Sequence, residues 1–146
     1  MDEMELIMQE ILEYLHSKRF ISLQHYLDTL NSADIAEAME ELLDDGAINP
    51  EELLLIFRIL PKQLAADTFV DMETDLQESL IAAFSDTELK EVLADVFLDD
   101  TVDIIEEMPA NVVKRILKNV DAATRKNINQ ILNYPEDSAG SIMTIE

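Results

Sequence analysis

Residues 48–95 read INPEELLLIFRILPKQLAADTFVD followed by MET DLQESLIAAFSDTELKEVLAD, written here as two blocks of 24. Set one above the other, and continued with the blocks from Val96 and Val120, similar apolar residues fall into columns. The first column is Ile48, Met72, Val96 and Val120; the ninth is Ile56, Leu80, Ile104 and Ile128; the thirteenth is Leu60, Phe84, Met108 and Leu132. Later columns hold Ala65, Leu89 and Val113, then Phe69, Leu93 and Leu117. Upstream, LNSADIAEAMEEL (Leu30–Leu42) fits the second half of a block, with Ile35 and Met39 in those last columns.

Each block holds two helix starts. Asn49-Pro50-Glu51-Glu52 supplies a capping residue, a proline for the first helical position and acids for the first turn. Thr74-Asp75-Leu76-Gln77 and Ser85-Asp86-Thr87-Glu88 read as capping boxes, and Ser32 reads as a further cap. Pro61 and Pro109, at one block position, open the second helix of their blocks. Gly46 suits the end of the helix before it. With Glu3–His16 and Phe20–Thr29, the pattern predicts about ten short helices and no strand. Helices this short gain stability by packing rather than from propensity. The expected fold is all-α: a compact right-handed superhelix, or solenoid, with a 24-residue two-helix repeat.

The 146 residues carry 32 acids and 10 bases, a formal charge of −22. Residues 1–113 hold 28 acids and 5 bases, so the whole excess precedes Lys114; Lys114, Arg115, Lys118, Arg125 and Lys126 form a late basic stretch. Such a balance argues against nucleic acid or an anionic membrane surface as partner. A 48% hydrophobic content separates the chain from acidic disordered tails. With 2 glycines, glycine-rich phosphate loops are close to excluded. Cysteine is absent, so thiolate chemistry and disulfides have no place here. The acidic start, Met1–Ser17, is unlike a signal peptide, and no apolar run reaches the length of a membrane span.

No catalytic constellation stands out, and an enzyme is not expected. His16 and His25 belong to no zinc signature, and no serine sits in a nucleophile elbow. The carboxylates are the informative residues. Glu51, Asp75 and Asp99 share one repeat column, Asp67 and Glu91 a second, Asp71 and Asp95 a third; Asp99-Asp100 and Asp103 gather at one helix start. Acids in a first turn complement the helix dipole without any ligand. They also suit Mg²⁺, which prefers oxygen, keeps much of its water and is held by one or two carboxylates.

The C-terminal YPEDSAGSIMTIE (Tyr134–Glu146) resembles the junction at which the N domain of MgtE-type magnesium transporters passes into the first cystathionine-β-synthase (CBS) domain, with AG-x-x-MT-x-E at Ala139–Glu146 its most specific part. SADIAEAMEEL, LLLIFRILPKQLAADTF and LDDTVDIIEEMP resemble helices of that N domain in order, from about Leu30 onward. The resemblance implies residues 1–133 as the helical N domain and residues 134–146 as connector and first CBS residues. It implies a magnesium-sensing domain at the cytoplasmic face of the membrane, in a homodimeric transporter whose CBS and transmembrane domains are its partners. Ions held between N-domain acids and acidic CBS surfaces would close the pore at high Mg²⁺. The ligands it implies are Asp67, in AADTF, and Asp99 with Asp100 and Asp103, in FLDDTVD. The alternative is a helical interaction scaffold resembling the flagellar motor switch protein FliG, which would require Met39, Met72 and Met108 to form exposed apolar patches.

Overall fold

A computed structural model describes residues 2–133. They divide into two units, one ending at Ala83 and one beginning at Phe84. The expected connector and first CBS residues, 134–146, lie outside the described residues.

The first unit contains α1 (Glu3–His16), α2 (Phe20–Leu27), α3 (Ser32–Asp44), α4 (Pro50–Ile59), α5 (Lys62–Asp71) and α6 (Thr74–Ala83). The second contains α7 (Asp86–Ala94), α8 (Leu98–Glu106), α9 (Ala110–Lys118) and α10 (Ala122–Asn133). The described residues are thus all-α, with the ten short helices that the repeat predicts and no strand among them. From α4 onward the helices start at residues 50, 62, 74, 86, 98, 110 and 122, one every 12 residues. The 24-residue repeat is two such steps.

Local chemistry sets most of these starts. Asn49 and Ser85 each accept from the backbone N–H three residues on, while Glu52 and Glu88 reach back to the cap. Both are complete capping boxes, and each satisfies two backbone donors that the first turn leaves unpaired. Pro61 and Pro109 stand at the N-cap, one residue before the first helical position. At the end of α3, Gly46 adopts φ +75, with its N–H on the Leu43 carbonyl and Ala47 N–H on that of Leu42. That is a Schellman ending, in the left-handed conformation that favours glycine. Lys18 closes α1 in the same way at φ 60, with Lys18 N–H on Leu15 and Arg19 N–H on Tyr14.

Two predicted caps are replaced by tertiary contacts. Ser32 is the first helical residue of α3 and not its cap; Asn31 takes that role, its Oδ1 accepting from Asp34 N–H at 2.8 Å. The Ser32 hydroxyl donates instead to the Asp71 carboxylate at the far end of α5. Thr74 likewise lies inside α6. Gln77 does not reach back toward it: its amide donates to the Phe69 carbonyl at 2.8 Å, buried. The backbone N–H of Glu73, just before α6, is held by the Glu40 carboxylate of α3 at 2.7 Å.

The repeat columns are the core. Ile56, Leu80, Ile104 and Ile128 are all buried, as are Ile48, Met72 and Val120, and Leu60, Phe84 and Met108. Ile35, Met39, Phe69 and Leu93 are buried as well. Towards the end of the described chain the columns open, and Val113, Leu117 and Leu132 are only half-buried. Within the first unit the most extensive helix pairing is α3 on α5. Both members bury small residues, Ala36 and Ala38 on one and Ala65, Ala66 and Thr68 on the other. Small side chains let two helix axes approach closely.

Candidate metal-binding face

Met39, Met72 and Met108 are at most 9% exposed, so the apolar patches a methionine-based docking surface requires are not formed. Both histidines are exposed and stand in the last helical turns of α1 and α2, where a basic side chain complements the helix dipole. Attention therefore falls on the carboxylates.

Many of them have work inside the fold. Asp71 accepts from Ser32, and Asp67 from Gln63 Nε2 at 3.0 Å. The like-charge pair four residues apart on α5 is thus given a neutral donor at each end. Asp86 faces the Arg115 guanidinium at 3.2 Å, and this hydrogen bond holds its carboxyl below the ordinary aspartate value. Asp121 caps α10 through Thr124 N–H at 2.7 Å, which depresses it likewise. Arg115 also donates to the Phe84 carbonyl, and Arg125 Nε to the Leu117 carbonyl at 2.8 Å. Two members of the late basic stretch are therefore spent on internal bonds within the second unit.

Sequence reasoning missed one acidic feature. Glu40, Asp44, Glu73 and Asp75 line an open depression of about 230 Å³ in the first unit. Burial pushes the Glu40 carboxyl up; the Glu73 N–H opposes that rise, and the charges of Glu73, Asp44 and Glu37 add to it. Glu40 and Asp44 lie four apart on α3, a spacing visible in the sequence; their meeting with the α6 start is tertiary.

The acids of α8 stand apart from these. Its inward face is Thr101, Val102, Ile104 and Ile105, all buried. That burial turns Asp99 and Asp103 outward, and both are exposed; Asp100 is half-buried. Asp99 and Asp103 are four apart and so share a face. Among the described residues, none of the three carboxylates takes part in a hydrogen bond or an ion pair. The structure thus gathers Asp99, Asp100 and Asp103 on one helix of the second unit, and holds Asp67, also exposed, on α5 of the first. No group of three or more His, Asp or Glu side chains among the described residues is arranged to hold a metal. Such a face fits a hydrated Mg²⁺ bound through one or two carboxylates and does not fit a dehydrated cage.

Short helices at 12-residue spacing, with an apolar repeat inward and carboxylates outward, define an all-helical repeat domain with an acidic surface. No helix of the described residues is long and apolar enough to cross a membrane. Residues 30–137 match the MgtE intracellular N domain, and the chain belongs to that family. The match begins where the repeat-like segment Leu30–Leu42 begins and leaves α1 and α2 outside it. Among solved structures, the chain is similar to the cytosolic domain of the Mg²⁺ channel MgtE in complex with ATP. The identity is 25% and the TM-score 0.55, over 82% of this chain and 52% of the other. The chain thus spans about half the length of that solved relative. No curated protein matches.

Proposed function

We propose that this chain is the cytoplasmic magnesium-sensing domain of a magnesium transporter. On this reading Asp67, Asp99, Asp100 and Asp103 provide one half of ion sites whose other half lies on the CBS domains of the same transporter. Membership of the MgtE N-domain family supports it. The observation that carries it is the outward cluster on α8, three carboxylates that the fold itself does not use.

The physics suits a gate. Two acidic surfaces repel one another when free Mg²⁺ is scarce, and the domain stands away from its partner. A bridging ion reverses the sign of that interaction. Because the complete site exists only when the surfaces meet, Mg²⁺ binds the closed state more tightly and shifts the population toward it. Half-sites of one or two carboxylates are weak, and weakness matches a sensor of free ion.

The test uses a protein in which this domain runs on into its CBS pair, titrated with Mg²⁺ and followed by small-angle scattering. Wild type is expected to compact, and Asp67→Ala/Asp99→Ala to stay extended at the same concentrations. Equal compaction in the two would remove the assignment.

A further inference from the structure

Asp67 does not meet solvent with both of its oxygens free. Gln63 lies one turn earlier on α5, and its side-chain amide donates to Asp67 Oδ1 at 3.0 Å. A carboxylate only accepts, so the amide has to present its nitrogen, and not its oxygen, to Asp67. Among the described residues Asp67 Oδ2 takes no hydrogen bond. Both side chains are exposed, so the bond is no part of the core.

The repeat does not call for the pair either. One block on, the equivalent positions hold Thr87 and Glu91; two blocks on, they hold Asn111 and Arg115. The apolar columns recur through these same blocks, so the pair is not a condition of the packing. On α8, by contrast, Asp99 accepts no hydrogen bond among the described residues.

The two hard cations differ in what they ask of a carboxylate. Ca²⁺ gathers more oxygens, in flexible geometry, and accepts both oxygens of one carboxylate. Mg²⁺ demands a near-ideal octahedron and keeps several of its waters. A carboxylate whose Oδ1 already accepts an amide N–H offers Oδ2 alone, which suits a hydrated Mg²⁺ bound through one oxygen. Ligation of Ca²⁺ through both oxygens has first to break the Gln63 bond. We propose that Gln63 is a positioning and specificity-determining residue for Asp67. It holds the carboxylate in the one-oxygen mode and so favours Mg²⁺ over Ca²⁺. The proposal rests on the reading of Asp67 as an ion ligand. An exposed amide–carboxylate pair at this helical spacing is weak, so its effect on the ratio of the two affinities is about twofold.

The experiment uses the full 146-residue chain. MgCl₂ and CaCl₂ are titrated separately, and the side-chain carboxyl resonances of Asp67 and Asp99 are followed by NMR. Both are read from one sample, so Asp99 serves as the internal reference. Gln63→Met keeps the length and helix propensity of the side chain while removing the donor. In that variant the Ca²⁺ dissociation constant at Asp67 is expected to fall about twofold relative to that for Mg²⁺. The ratio at Asp99 is expected to stay as in wild type. A substitution that merely loosened the helix would weaken both ions alike and leave the Asp67 ratio where it was. An unchanged ratio at Asp67 in the folded variant, or an equal change at Asp99, overturns the proposal and leaves Asp67 a ligand. An Asp67 carboxyl that responds to neither ion overturns it and removes Asp67 from the sensing assignment as well. The ratio is read without a CBS partner, so a failure of the bridging mechanism does not alter it.

Discussion

Thr68 is fully buried on α5, and its hydroxyl has no hydrogen-bond partner among the described residues. Valine is nearly its isostere, with a methyl in place of the hydroxyl, and both residues are similar in helix propensity. An unsatisfied buried polar group costs about 1–3 kcal/mol, whereas an apolar group of the same shape carries no such cost. Thr68→Val is therefore expected to stabilise the first unit by about 1–2 kcal/mol. The internal comparison is Thr101, which is also buried but whose hydroxyl donates to the Phe97 carbonyl at 3.2 Å. Thr101→Val removes a made bond and is expected to cost about 0.5–1.5 kcal/mol. Urea unfolding followed by far-ultraviolet circular dichroism reads both, with the midpoint moving and the slope unchanged if only stability alters. Amide exchange along α5 localises the gain. If Thr68→Val lost about 1 kcal/mol or more, the hydroxyl would have a partner after all, and the reasoning from burial would fail.

Other outcomes follow from the helix ends and the carboxylates. Lys18→Gly relieves a left-handed conformation at the end of α1 and is expected to raise the melting temperature, by about 0.5–1 kcal/mol in stability. Gly46→Ala should lower stability by about 1 kcal/mol, although nothing within 4 Å would meet the added methyl, because the cost is in the backbone alone. Asn31→Ala removes a helix cap and should cost about 1 kcal/mol in thermal unfolding; Ser32→Ala should instead match Asp71→Ala, since the two share one bond. The carboxyl of Asp86 is depressed in the folded chain, so its stabilising contribution is present above the ordinary aspartate value, about 3.9, and is lost as pH falls through the lower folded value. Acid unfolding of Asp86→Asn should accordingly show a shallower pH dependence in that range than wild type.

Glu40 works with the opposite sign. Burial raises its carboxyl, so the folded chain holds that proton more tightly than the unfolded chain does. Its unfavourable contribution is present above the raised value and fades as pH falls toward the unfolded one. A surface that gathers Glu40, Asp44, Glu73 and Asp75 around one depression carries this cost, and the Glu73 N–H offsets part of it.

The sequence by itself determined the helices and the core. Capping at Asn49 and Ser85 acts within three residues, and the left-handed Gly46 acts within one turn, so each was legible without knowing the fold. The 24-residue columns were legible for a related reason: burial selects apolar residues wherever the same helix face recurs. Tertiary structure alone decided the partners that lie far apart in the chain. Ser32 meets Asp71 across 39 residues, Glu73 meets Glu40 across 33, and Arg115 meets Phe84 across 31. Those contacts overrode two predicted caps and took up part of the basic stretch. They also sorted the acids, committing Asp71 and Asp86 to the fold and leaving Asp99 and Asp103 exposed. A carboxylate is written identically in either case. Which kind it is depends on what another helix brings within hydrogen-bond reach, and that is a property of packing rather than of spacing.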